Sequence, residues 1–169
     1  NNITRFDETA EGADILACDP YPIPNVSLRY VADATKAAAK AVAGLKPVWT
    51  ILDQYEEKRP SKKELRCMAY LALIAGAQGI GVYAWDDRPG KKKGWYVKEH
   101  HSDLQNLHSV ITELRSLQDV LIQPNTADRP TFTKANPALH AAIKCVNGRS
   151  YLLLANDSRQ QETATLALP

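Results

Sequence analysis

The chain has 169 residues, of which 44% are hydrophobic and 24% are charged, and its formal net charge is +2. This composition is that of an ordinary globular protein with enough apolar material for a core. A net charge of +2 is too small to indicate nucleic acid or an anionic membrane as a partner. No apolar run approaches the roughly 20 residues that a membrane-spanning helix needs.

The cysteines give no sign of a metal site. Cys18, Cys67 and Cys145 are widely spaced, and the first two lie in apolar segments, which favours buried free thiols. The spacings typical of zinc sites are absent, since neither CxxC nor HxxxH occurs. We therefore expect the protein to use neither a metal nor another cofactor.

The first predicted elements are a short helix around residues 5–11 and a buried strand over residues 13–18. The strand ends at Asp19, and the loop behind it is rigid because it contains three prolines. The next predicted helix runs to about Ala43 and ends at Gly44. Its many alanines favour helix and permit close packing on a sheet.

A second strand is predicted over residues 47–52, again an apolar run that ends in polar side chains. Ser61 and Glu64 have the spacing of a capping box, in which each residue satisfies a backbone N–H of the other. They open a strongly apolar helix over residues 62–76. A third strand follows over residues 79–84.

A long loop, a last helix and a linker are predicted after the third strand. A long loop over residues 86–100 leads into a helix at about 103–118, where leucine and isoleucine recur at helical spacing. Residues 123–130 are rich in proline and polar residues and are predicted to be a linker.

Beyond the linker the pattern is that of an antiparallel β module over residues 131–169. Residues 138–146 and 150–155 are predicted to form a hairpin, because Asn147-Gly148 between them favours a type I′ turn. Residues 161–168 alternate in the manner of another strand.

Strand–helix alternation with polar residues at the strand ends is the arrangement of a (β/α)8 barrel, whose active site lies at the carboxyl ends of the strands. Residues 1–122 supply three strand–helix units, whereas a whole barrel takes roughly 250 residues. We expect an α/β fold: the last three units of a partial TIM barrel, followed by a small antiparallel β-sandwich-like module. The chain would then be the C-terminal portion of a longer protein.

Four motifs occur in order along the chain: Asp19-Pro20-Tyr21-Pro22 after the first strand, Lys46-Pro47-Val48-Trp49, Arg59-Pro60-Ser61 with Glu64, Arg66, Met68 and Tyr70, and Gly76-Ala77-Gln78-Gly79-Ile80 with Tyr83 and Trp85. By these motifs, residues 14–117 resemble the C-terminal half of TIM-barrel glycoside hydrolases of the large retaining clan. The β module resembles the accessory β-sandwich that often follows such barrels.

The resemblance implies hydrolysis of an O-glycosidic bond in an oligo- or polysaccharide, and it favours a secreted or periplasmic protein. It also implies that the missing N-terminal part of the barrel, or another copy of the chain, completes the fold. A catalytically inactive carbohydrate-binding barrel is the alternative function. A doubly wound nucleotide-binding domain is disfavoured, because no glycine-rich phosphate loop follows any strand.

The chain departs from the clan at the tip of the family's seventh strand, where the nucleophilic Glu is replaced by Leu52-Asp53-Gln54. The family's acid/base Glu comes from a fourth strand that this chain lacks. Side chains alternate along a strand, so only one of Asp53 and Gln54 faces the barrel mouth. If Asp53 does, it is a shorter candidate nucleophile; if Gln54 does, it is a neutral group that binds substrate.

The other candidate site residues also follow strands. Asp19 either binds sugar hydroxyls, or is catalytic together with Asp53, or is a turn-forming residue that caps the strand. Tyr21 either binds sugar or is structural. Trp85 is expected to form the floor of a sugar subsite, the alternative being a core position. Asp86 and Asp87 either bind substrate or cap the loop. We predict that Asp19, Tyr21, Trp85 and one of Asp53 or Gln54 converge at one end of the sheet.

Overall fold

The computed structural model describes residues 6–54, 59–83, 100–134 and 136–169. Its elements in chain order are α1 (Phe6–Ala10), β1 (Leu16–Cys18), α2 (Arg29–Val42), β2 (Val48–Asp53), α3 (Lys62–Ala75), β3 (Gly79–Tyr83), α4 (His101–Ser116), α5 (Gln118–Leu121), β4 (Thr131–Phe132), β5 (Leu139–Val146), β6 (Arg149–Asn156) and β7 (Leu166–Ala167). The predicted mixed α/β class is confirmed. None of the described helices is long and apolar enough to span a bilayer.

The three predicted parallel strands form one sheet in the order β1-β2-β3. Leu16 lies opposite Val48 at the start of β1, and Asp53 lies opposite Tyr83 at the end of β2. Strand β1 is shorter than the predicted strand over residues 13–18, because its ladder with β2 begins only at Leu16. The described strands do not close into a barrel.

One face of the sheet packs against helices. Along β2, Val48, Thr50 and Leu52 are buried. The Thr50 hydroxyl lies 2.8 Å from that of Thr35 on α2, and Leu52 belongs to the same apolar cluster as Leu65 on α3. The even-numbered residues of β2 therefore face the helices.

The opposite face of the sheet carries the odd-numbered residues, and because no described helix covers it we call it the bare face. Trp49 is 42% exposed, and Ile51 is half-buried. Beside them on β3 stand Gly79 and Gly81, where a Cβ atom would come within 2.6 Å of the Trp49 ring and of Ile51 Cδ1 respectively. The two glycines thus make room for the larger side chains of β2. Parallel sheets are ordinarily covered on both faces, so this face has the character of one that packs against further protein.

Replacing Gly79 with alanine is expected to lower the free energy of unfolding by about 1–3 kcal/mol, because the new methyl group overlaps the Trp49 indole. Urea unfolding measures the change. Gly12→Ala is the matched control, since no atom lies within 4 Å of a Cβ at Gly12. In a Trp49→Ala background the cost at Gly79 should largely disappear. An undiminished cost there would contradict the packing described for this face.

Helix α3 begins with the cap that the sequence predicts. Ser61 Oγ accepts a hydrogen bond from the Glu64 backbone N–H at 3.3 Å, and the Glu64 carboxylate accepts from the Ser61 N–H at 2.9 Å. The predicted capping box is thereby confirmed. Helix α4 begins at His101, two residues before the predicted start, and no side chain caps it.

The β module contains a hairpin of β5 and β6 and a separate short pair of β4 and β7. Asn147 and Gly148 at the hairpin turn have φ angles of 51° and 73°. Positive φ at both positions is what a type I′ turn requires, so the predicted turn is confirmed. The strand predicted over residues 161–168 is reduced to the two residues of β7.

The hairpin packs against α3. One cluster of buried apolar side chains contains Leu52 of the sheet, Leu65 and Met68 of α3, and Ala142 and Leu153 of the hairpin. The Asn125 amide also donates to the Ile74 carbonyl, which ties the predicted linker to the end of α3. The predicted boundary after residue 122 stays a prediction, and the apolar cluster extends across it.

Candidate functional site

Three strands of the sheet end in chemically active side chains. Asp19 directly follows β1, Asp53 is the last residue of β2, and Tyr83 is the last residue of β3. The strands are parallel, so their carboxyl ends lie at the same edge of the sheet, which is the edge where α/β proteins carry their sites.

Direct contacts join this group. The Tyr21 hydroxyl donates a hydrogen bond to Asp19 Oδ2 at 2.7 Å. The Tyr21 and Tyr83 rings have centroids 6.2 Å apart and are inclined by 52°. Tyr83 is in turn the ladder partner of Asp53. The predicted convergence of Asp19 and Tyr21 with the end of β2 is therefore present in the described residues.

Asp53 and Gln54 face opposite sides of the sheet. Asp53 is 4% exposed and shares the alternation of Trp49 and Ile51 on the bare face. Gln54 is fully buried, shares the alternation of the residues that face the helices, and donates its backbone N–H to the Tyr83 carbonyl at 2.7 Å. Asp53 is thus the one of the two that stands beside the tyrosines.

The Gln54 side chain is an unusual feature of this region. Within the described part of the chain, neither its Nε2 nor its Oε1 has a hydrogen-bond partner. A buried amide without partners costs free energy. No contact among the described residues offsets this cost. Substrate binding was predicted for Gln54 on the condition that it faces the barrel mouth, whereas its alternation places it with the residues that face the helices.

Burial controls the protonation of the site. It raises the pKa of the Asp19 carboxyl, and the hydrogen bond from Tyr21 partly opposes that shift. Burial also raises the pKa of Tyr21, and its bond to Asp19 and the neighbouring charges, including that of Asp53, raise it further. Tyr21 therefore stays a neutral donor, and Asp19 holds its proton to a higher pH than an ordinary carboxyl group. A carboxyl group with a raised pKa suits proton donation.

Behind the site, on the helix side of the sheet, lies a small polar network. The Cys18 thiol contacts the Thr50 and Thr35 hydroxyls at 3.5 Å and 3.8 Å, and burial raises its pKa. A buried thiol of this kind is unreactive and serves packing. All three cysteines are free thiols; Cys18 is buried, as predicted, whereas Cys67 is half-buried and Cys145 is exposed.

Trp85, Asp86 and Asp87 lie outside the described residues, so their predicted substrate contacts stay predictions. Tyr83 belongs to one of the four sequence motifs but was not among the predicted site residues. The signal was nonetheless available: side chains two residues apart share a face of a strand, so the argument that selected Trp85 at this strand end applies equally to Tyr83.

The described residues contain no group of three or more histidines, cysteines, aspartates or glutamates that could hold a metal ion. The site is a pair of carboxylates beside two tyrosines at the carboxyl edge of a parallel sheet in a mixed α/β protein. No protein-family model matches the chain, and neither the curated proteins nor the solved structures contain a significant match.

Proposed function

We propose that the chain is the C-terminal part of a (β/α)8 glycoside hydrolase and that Asp19 and Asp53 act on the glycosidic bond. One observation carries the proposal. Two carboxylates and two tyrosines meet at the carboxyl edge of a parallel sheet, at the end of the face that no described helix covers. Active sites of (β/α)8 enzymes are built at that edge.

The bare face supports the proposed barrel. In a (β/α)8 barrel the helices lie outside, and the inward side chains of the strands fill a closed core. Helices α2 and α3 cover one face of this sheet only, and the other carries Trp49 and Ile51. Five further strand–helix units, or another copy of the chain, would enclose those side chains.

The chemistry requires two carboxyl groups in different protonation states. The raised pKa of Asp19 suits the protonated form, which would deliver its proton to the leaving glycosidic oxygen. Asp53 would then attack the anomeric carbon or activate a water molecule. In this scheme Tyr21 holds the Asp19 carboxyl in place through its hydrogen bond.

An inactive carbohydrate-binding barrel is the second candidate, and one observation favours it. The tip of β2 carries Asp53 where the clan that this sequence resembles has a glutamate. The aspartate side chain is shorter by one methylene, which moves the carboxylate away from the anomeric carbon. Positioning errors of about 1 Å can reduce catalysis by roughly 100-fold.

Hydrolysis and binding measured together test the proposal. The protein from its complete gene is incubated with neutral oligosaccharides that differ in linkage, and the release of reducing ends is followed beside calorimetric binding. We expect hydrolysis of at least one substrate, and we expect Asp53→Asn to abolish it. Asp33→Asn, at an exposed position on α2, is the matched control and should retain full activity. Binding without hydrolysis would favour the inactive barrel, and the absence of both would contradict the proposal.

A further inference from the structure

Two tyrosine rings stand beside the carboxylates, and they belong to different parts of the chain. The Tyr21 hydroxyl is committed to Asp19 by a 2.7 Å hydrogen bond. Tyr83 belongs to the end of β3, and its backbone carbonyl accepts from Gln54 at 2.7 Å. The sheet therefore fixes the backbone of Tyr83, and the hydrogen bond to Asp19 orients the Tyr21 ring.

The Tyr21 and Tyr83 rings are tilted relative to each other. Their planes are inclined by 52°, with the centroids 6.2 Å apart, so the rings are not stacked face to face. Tyr21 is 37% exposed, and Tyr83 is half-buried. Both tyrosines therefore keep part of their surface accessible at the edge of the sheet that carries Asp19 and Asp53.

We propose that Tyr83 is a binding wall for the C–H face of a pyranose ring, and that Tyr21 is a positioning residue that orients Asp19. This inference rests on the proposed function and names its substrate class: neutral pyranosides whose ring presents a flat face of C–H groups. Such faces pack on aromatic rings, whereas the sugar hydroxyls donate to carboxylates. A linear polyol has the same hydroxyls without that face and is a poor ligand.

Binding by Tyr83 is tested with cellotetraose, xylotetraose, mannotetraose and maltotetraose, and with sorbitol as the linear polyol. Calorimetry or NMR titration of the wild-type protein identifies the tetrasaccharide that binds best. We expect Tyr83→Ala to weaken that binding at least tenfold and Tyr83→Phe to keep it within about threefold, because phenylalanine retains the ring. Tyr151→Ala is the matched control, since Tyr151 is a half-buried tyrosine on β6.

The outcomes separate this inference from the proposed function. If no tetrasaccharide binds the wild-type protein, the proposed function itself fails. If one binds and Tyr83→Ala binds it equally well, or if sorbitol binds as tightly, only the present inference is overturned. Urea midpoints for each variant show whether a loss of binding reflects unfolding. If Tyr83→Ala does not fold, Tyr83→Leu repeats the test, because leucine keeps apolar bulk at the end of β3 without a flat ring, and it should also weaken binding at least tenfold.

The positioning role of Tyr21 is tested separately, by the pH dependence of kcat/KM. Its hydrogen bond lowers the pKa of Asp19, so Tyr21→Phe should raise that pKa. If Asp19 acts as a proton donor, the alkaline limb of the kcat/KM profile then moves to higher pH, while KM changes less than about threefold. A profile whose limb stays in place would overturn the positioning role, because a merely structural tyrosine would lower activity equally at every pH.

Discussion

Asp19→Asn is expected to reduce hydrolysis by about 10²–10⁴-fold and to leave the folded protein as stable as before, or more stable, at neutral pH. Burial raises the pKa of this carboxyl, so the folded state binds its proton more tightly than the unfolded chain does. Between the ordinary pKa of aspartate and the raised one, stability therefore falls as pH rises. Asparagine removes the buried charge and can still accept the hydrogen bond from Tyr21.

The measurement is the free energy of unfolding from urea titrations between pH 3 and pH 8, together with the rate of hydrolysis. The difference between variant and wild type should favour the variant increasingly as pH rises through this window. Asp157→Asn is the contrasting control, because that buried aspartate accepts from His140 at 2.8 Å and pairs with Arg29 at 3.2 Å. It should cost about 1–3 kcal/mol of stability and leave catalysis intact. A destabilising Asp19→Asn with unchanged activity would make Asp19 the turn residue of the alternative interpretation.

Local chemistry was predictable from the sequence wherever the interacting residues are close along the chain. The capping box of Ser61 and Glu64 and the turn at Asn147-Gly148 depend only on neighbouring residues, and both are present. Strand lengths were less predictable, because a strand extends only as far as its partner pairs with it. The apolar run over residues 13–18 pairs with β2 only from Leu16 onward.

The orientation of the site residues required the packed structure. Because successive side chains of a strand alternate, the sequence shows that Asp53 and Gln54 face opposite sides of the sheet. It does not show which side packs against the helices. That choice is made by contacts distant in sequence, such as the one between Thr50 and Thr35. The predicted strand over residues 161–168 fails for a related reason: its side chains are mostly exposed small or polar residues, which offer no apolar face to bury.

Met68→Ala is expected to lower the free energy of unfolding by about 2–5 kcal/mol and to destabilise the sheet and the β5–β6 hairpin together. Met68 is fully buried on α3, in the apolar cluster that contains Leu52 from the sheet and Leu153 from the hairpin. A cavity at this position removes packing from both neighbours of the helix, because α3 lies between them.

Hydrogen exchange under native conditions measures whether the two parts open together. If they share one core, the slowest amides of β2 and of β6 should report the same free energy of opening, and Met68→Ala should lower both values equally. Leu154→Ala is the matched control, since Leu154 lies on β6 but is 53% exposed, and its effect should stay below about 1 kcal/mol. Protection that persists in β6 after β2 has lost it would instead support the predicted boundary near residue 122. In that case the hairpin would belong to an independent module, and the apolar contact with α3 would be an interface between domains rather than a common core.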